Sequence, residues 1–214
     1  MSPLTVAVLG FLLGLRHAVD PDHVAAVSTI ATRSTSFRRA AAVGAWWGLG
    51  HTLTILVVGG AIILFRIVIS PRVGLAMEFA VALMLILLGL QNVANARRHE
   101  DRVPNSARPF VVGMVHGMAG SAAVVLLVLA TVRETLWAFA YLTLFGLGTV
   151  AGMVIVTGVI AVPAALAVSR VRHARRWLTL ASGVASVVLG VLLASELTDR
   201  DTGLFSASPA WTPR

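Results

Sequence analysis

The chain has no cysteine and no lysine, and only 12% of its 214 residues are charged. Without cysteine there is no disulfide framework, no thiolate metal site and no thiol chemistry. A soluble domain carries about 25% charged residues. With 57% hydrophobic residues and a mean hydropathy of +0.89, the chain has too little polar material to cover a water-facing surface. The same composition excludes a disordered chain. The net charge of +8 comes from 17 arginines set against 9 acidic residues, and its meaning depends on where those arginines fall.

Charge-free stretches run from Met1 to Leu15, Ala40 to Phe65, Phe79 to Ala96, Pro109 to Val132, Thr135 to Ser169 and Trp177 to Ser195. A bilayer core takes about 20 apolar residues as a helix. The pattern therefore predicts an all-α integral membrane protein with six transmembrane helices, near 4–30, 40–65, 75–96, 109–132, 136–168 and 177–196. The N-terminus lacks the basic region of a signal peptide, since its first charge is Arg16. Residues from Leu197 onward, with Asp, Gly, Ser and Pro, read as a short exposed polar end.

The arginines set an orientation. Arg33, Arg38 and Arg39 lie in the first loop, Arg97, Arg98, Arg102 and Arg108 around the third, and Arg170, Arg172, Arg175 and Arg176 in the fifth. The positive-inside rule places loops one, three and five in the cytoplasm and both termini outside a cell inner or plasma membrane. The arginines then read as orientation signals and contacts to membrane lipids. No folded basic domain is present to offer them to a nucleic acid, so no nucleic-acid partner is expected.

The two halves of the chain resemble each other. Gly14-Leu15-Arg16-His17 aligns with Gly113-Met114-Val115-His116, and Ala31-Thr32-Arg33 with Ala130-Thr131-Val132-Arg133. Trp47-Gly48-Leu49-Gly50 aligns with Phe145-Gly146-Leu147-Gly148, and Leu88-Gly89-Leu90 with Leu189-Gly190-Val191. Three helices per repeat is an odd number, which gives the repeats inverted topology, one over about 4–98 and the other over about 109–197, with a tail from 198 to 214. Inverted repeats with broken helices bind their cargo near the membrane midplane.

The strongest constellation is His17-Ala18-Val19-Asp20-Pro21-Asp22-His23. Ionisable groups inside a membrane segment are costly and face a partner, an ion or a cavity. Imidazole nitrogen with carboxylate oxygen suits Ni²⁺, Co²⁺ or Zn²⁺. His17, Asp20 and His23 are spaced by three, so each neighbouring pair shares a helix face. Pro21 lacks an N–H and opposes the carbonyl of His17, which breaks the first helix at this point. His51, near the middle of the second helix, offers a third imidazole. His116 occupies the position that repeats His17 and is either a further ligand or a hydrogen-bonded core histidine. Arg16 could neutralise a site carboxylate or pair with Glu78.

Thr143, Thr149 and Thr157 form a sparse polar line that faces a path or bonds back to its own helix. Gln91, Asn92 and Asn95 close the third helix. Met114 and Met118 read as filler, Trp46 and Trp47 as packing, and Trp177 as an interfacial anchor. Small-residue pairs at Gly10/Gly14, Gly44/Gly48, Gly113/Gly117 and Gly148/Gly152 fit close packing between helices or between two copies as a homodimer.

The run from Arg16 to Val24, with His17-x₄-Asp22-His23 inside it, resembles the signature of the nickel/cobalt transporter family. Leu49-Gly50-His51-Thr52 is similar to that family's second histidine motif. Met114 to Ala123 and Leu144 to Met153 look most like its short, urease-accessory branch. The resemblance covers nearly the whole chain and implies one transmembrane transporter domain. It also implies ion-binding or pathway roles for His17, Asp22 and His23, with His51 contributing. Longer members have about eight helices and carry acidic residues where this chain has His116-Gly117-Met118-Ala119-Gly120-Ser121, and an Asp where it has Thr157. The expected cargo is Ni²⁺ or Co²⁺, carried as substrate with no resident cofactor, through a metal site drawn from His17, Asp20, Asp22, His23, His51 and His116. An intramembrane metal hydrolase is the poorer reading, because no His-Glu-x-x-His arrangement or separate general base accompanies the ligands. A membrane accessory protein handing metal to metalloenzyme maturation proteins would use the same ligands without a through path.

Overall fold

Backbone groups with no water to bond must pair within their own segment, so apolar runs of this length fold as helices. The computed structural model describes residues 3–31, 36–96, 107–131, 134–171, 173–199 and 201–211, with the side chains of Pro3 and residues 120–131 left out. Arg33, Arg97, Arg98, Arg102, Arg133 and Arg172 of the loops lie outside the described residues, as does part of the Thr32-Arg33 and Val132-Arg133 match. The elements in chain order are α1 (Pro3–His17), α2 (Pro21–Ala31), α3 (Phe37–Thr54), a π-helical turn (Ile55–Gly59), α4 (Gly60–Phe65), α5 (Pro71–Asn95), α6 (Ala107–Thr131), α7 (Thr135–Arg170) and α8 (Ala174–Leu197). The described residues form no strand.

Among the described residues, four helices are long and apolar enough to cross a bilayer: Phe37–Phe65, Pro71–Asn95, Thr135–Arg170 and Ala174–Leu197. The bent pair Leu4–His17 and Pro21–Ala31 meets the same criteria when taken together, which gives up to five candidate spans when the pair is counted as one. Their outer faces carry exposed Leu12, Leu53, Val57, Leu87, Leu147 and Val159, the surface expected where lipid is the solvent.

The break in the first span differs in detail from the sequence expectation. Pro21 does not kink a continuing helix; it is the first residue of α2, where a missing N–H costs nothing. The chain turns at residues 18–20 instead. The N–H groups of Val19 and Asp20 bond the carbonyls of Arg16 and His17, and Val24 then bonds Asp20 to open α2. The two helix axes differ by 58°. His17 therefore ends one helix and Asp22 and His23 begin the next.

The long helices pack as α1 on α7, α3 on both α6 and α7, and α5 on α8. Small residues let the backbones meet. A Cβ at Gly14 would strike the Phe145 carbonyl on α7, and one at Gly148 would strike the Phe11 carbonyl on α1. Gly50 of α3 and Gly113 of α6 are matched in the same way, against the Phe110 and Trp47 carbonyls. Polar side chains add cross-links: Ser186 donates to the Leu85 carbonyl (2.8 Å), and Thr52 to the Gly146 carbonyl (3.0 Å). Asn92, buried, donates to Ser182 Oγ (2.9 Å) on α8, whereas Gln91 accepts from Arg108.

The C-terminal segment is largely exposed, as its composition suggests. It folds back onto the start of α5. Trp211 lies over Gly74 and donates its indole N–H to Glu78 (2.8 Å). Phe205 meets Phe79 edge to face. Glu78 is buried, and this bond from Trp211 is one of its contacts. Arg16 itself is exposed.

The close α1–α7 approach has a direct test. Gly148→Val should destabilise the protein by about 1–3 kcal/mol or more, because the new side chain meets backbone that cannot move aside. Leu147→Val, on the exposed lipid face of the same turn, should leave the thermal midpoint in detergent unchanged. Equal midpoints for the two variants would contradict this packing.

Candidate metal centre

Four helices deliver imidazoles to one place. His17 is the last residue of α1, His23 lies in the first turn of α2, His51 is in α3 and His116 in α6. His23, His51 and His116 are each at most 2% exposed. The ring centroids of His17 and His23 are 4.4 Å apart, those of His23 and His116 4.1 Å, and those of His23 and His51 5.1 Å.

Two aspartates orient these rings. An ionised carboxylate only accepts, so the imidazole nitrogen facing it carries the proton. His17 Nδ1 donates to Asp20 Oδ2 (2.8 Å). His23 Nδ1 donates to Asp22 Oδ1 (3.0 Å), and His116 Nε2 donates to Asp22 Oδ2 (2.9 Å). These bonds fix the tautomers and turn the opposite nitrogens inward as lone pairs. His17 Nε2, His23 Nε2, His116 Nδ1 and both nitrogens of His51 are buried with no hydrogen-bond partner among the described residues.

Burying such a group unpaired costs about 1–3 kcal/mol. A cluster of them is unfavourable for the protein alone and suited to a Lewis acid. Two overlapping groups have ligand atoms within 4.8 Å of one another: His17, His23 and His51, and Asp22, His23 and His116. Asp20 belongs to neither group; it contacts His17 on the nitrogen turned away from the cluster. The donor set is imidazole and carboxylate, the chemistry of late first-row divalent ions.

Several features around the cluster were not legible as such in the sequence. Trp47, fully buried, lies near-parallel to the His23 ring at 6.4 Å and edge-on to the His116 ring at 5.9 Å. It is a wall of the site as well as a packing residue. The helix widens to a π turn one turn after His51, where the Ile55 N–H meets the carbonyls of both His51 and Thr52. Such turns have no strong sequence signature and recur at functional sites. Met114 and Met118 are partly exposed and join neither group. Thr143, Thr149 and Thr157 bond back to the carbonyls of Phe139, Phe145 and Met153 on their own helix.

Comparison with known proteins is decisive about kinship. The profile of the NicO family, described as high-affinity nickel-transport protein, matches residues 4–102. The urease accessory protein UreH of a Bacillus species is 35% identical over 205 residues, which cover 88% of this chain and 90% of that protein. The chain belongs to the nickel-transport family. A high-affinity nickel transport protein of Cupriavidus necator is 34% identical over 70 residues, 32% of this chain and 20% of that protein. The chloroplast protein FOR GROWTH AND FERTILITY 2 of Arabidopsis thaliana is 25% identical over 213 residues, and the chain spans 56% of its length. No solved structure matches the chain. The nickel-transport profile covers the stretch that holds His17, Asp22, His23 and His51; His116 lies beyond it.

In this chain Asp22 joins α2 to α6 through His116, which gives a stability test independent of any ion. Asp22→Ala leaves His23 Nδ1 and His116 Nε2 without acceptors, at about 1–3 kcal/mol for each. Thermal unfolding in detergent without added metal should show that loss, and Asp22→Asn, which keeps one oxygen acceptor, should show a smaller one. An unchanged midpoint for Asp22→Ala would contradict the bridging role.

Proposed function

We propose that the chain carries a divalent transition metal ion, Ni²⁺ first and Co²⁺ next, across a cell inner or plasma membrane through the histidine and aspartate cluster. The observation that carries this reading is the set of buried, unpartnered imidazole nitrogens converging from four helices. His17, His23 and His51 supply lone pairs to the ion. Asp20 holds His17, and Asp22 holds His23 and His116, in the tautomers that can ligate, and His116 extends the ligand set.

α6, a helix of 25 residues, serves as the sixth span. The chain then divides into two inverted three-helix repeats, 4–98 and 109–197. The exchange of partners supports this division: α1 packs on α7 as α6 packs on α3, and the third helices α5 and α8 pack on each other. The ion site lies between the repeats, and rocking of one against the other opens it to each side in turn. Loops one, three and five face the cytoplasm, where the negative interior draws the cation inward.

The name of the Bacillus relative favours a second reading, in which the chain delivers nickel to maturation proteins at the membrane without moving it across. Flux separates the two. Purified protein in vesicles should move nickel, and His17→Ala, Asp22→Ala and His23→Ala should each abolish that movement. Asp201→Ala, in the tail, should not. Normal flux in all three site variants would remove the site assignment, and tight nickel binding without flux in the unaltered protein would favour delivery over transport.

A further inference from the structure

The cluster is sealed on the side of its lone pairs: His17 Nε2, His23 Nε2, His116 Nδ1 and both nitrogens of His51 are buried. Asp20 and Asp22 are partly exposed, but both stand behind the rings, on the nitrogens turned away from the cluster. Two aromatic rings lie against the histidines from the two halves of the chain. Phe145 of α7 meets His17 at 5.4 Å, and Trp47 of α3 meets His116 at 5.9 Å. The alignment of the two halves pairs these same residues, Trp47 with Phe145 and His116 with His17. The glycine contacts correspond as well. Gly14 faces the Phe145 carbonyl as Gly113 faces that of Trp47, and Gly148 faces the Phe11 carbonyl as Gly50 faces that of Phe110. We infer that Phe145 and Trp47 are the paired gates of the ion path, one toward each face of the membrane, and that both are shut in this conformation.

Each ring belongs to a separate apolar cluster. Phe145 shares one with Val6, Tyr141 and Ile55. Val6 and Tyr141 lie toward the N-terminal ends of α1 and α7, and Ile55 is one turn past His51. Trp47 shares the other with Val27 and Val112. Val27 is one turn past His23 on α2, and Val112 is one turn before His116 on α6. In the orientation proposed above, the first cluster lies on the outer side of the histidines and the second on the cytoplasmic side. An apolar constriction stays dry and blocks a hydrated ion until it parts. Each cluster also encloses one polar atom that is buried without a partner among the described residues: the Tyr141 hydroxyl in the first and Trp47 Nε1 in the second. Such atoms are unfavourable in a dry, shut gate. Water admitted on opening pairs them, which lowers the cost of the open state and marks each cluster as a gate.

This inference rests on the reading of the chain as a carrier built of two inverted repeats, and its main experiment needs no metal. The chain has no cysteine, so a single introduced thiol reports its own exposure. Ile55→Cys marks the outer cluster and Val27→Cys the inner one; both native side chains are fully buried. In the purified full chain in detergent, a hydrophilic thiol reagent should react slowly with either. Phe145→Ala should speed the reaction at Ile55→Cys by at least about tenfold and leave Val27→Cys unchanged, because removing a packed aromatic favours opening where it packed. Trp47→Ala should do the reverse. Phe145→Leu and Trp47→Leu keep more of the packing and should show the same selectivity at smaller amplitude, so loss of the fold in an alanine variant leaves the test standing. Faster labelling of both thiols in each leucine variant, or unchanged labelling of the thiol in the substituted cluster, would overturn the pairing. In vesicles each leucine variant should also lose nickel flux, since a site held open to one face cannot open to the other in turn. Undiminished flux in both would overturn the gating role. If the unaltered protein moves no nickel, the carrier reading fails, while the labelling still decides whether the two rings shut the site.

Discussion

Asp22 holds two imidazoles at once, His23 through one oxygen and His116 through the other, and joins residues 94 apart in sequence. Much else follows from that carboxylate. An anion this far inside a membrane protein needs partners, and two N–H donors supply them. The same bonds commit a nitrogen of each ring and leave the opposite lone pairs facing one another. The helix break at residues 18–20 is what brings Asp22 there: a continuous helix would carry His23 past His17 along one axis, whereas the 58° bend folds the two rings to 4.4 Å.

The packing of the helices holds that arrangement together in this conformation. Glycines at the α1–α7 and α3–α6 crossings bring backbones into contact, so the helices bearing His17, His51 and His116 cannot drift apart without losing close contact along their length. Between lipid-facing helices there is little hydrophobic driving force, and close backbone approach with hydrogen bonds from Ser186, Asn92 and Thr52 takes its place. Trp47 fills the space behind His23 and His116 and limits how far those rings can turn. A preorganised set of lone pairs loses less freedom on binding an ion than a flexible one.

Much of this was legible in the sequence because the bilayer makes strong demands on composition. The spans drawn around the charge-free runs fall within a few residues of the helices, except that the first spans both α1 and α2, and the histidines and aspartates stood out because so few polar groups surround them. Spacing put His17, Asp20 and His23 on one helix face, and the resemblance to the family motif added Asp22. It could not show which nitrogen of each ring is committed, since that depends on carboxylates placed by the break. It could not show that Asp20 serves His17 from behind and stands outside both ligand groups. The convergence of His51 and His116 on His23 depends on contacts between distant helices, for which the family motif around His51 and the alignment of His17 with His116 were the hints. The tail's exposure was legible in its composition, whereas the contacts of Phe205 and Trp211 with the start of α5 depend on how the chain returns and were not.

The central claim is that imidazole nitrogens of this cluster bind the transported ion directly. X-ray absorption at the nickel edge, on the purified full chain loaded with one equivalent of Ni²⁺, tests it most directly. The account predicts a first shell dominated by nitrogen with the outer-shell scattering of several imidazoles, reduced by one imidazole in His51→Leu. A shell of oxygen alone, without imidazole scattering and unchanged in that variant, would contradict it.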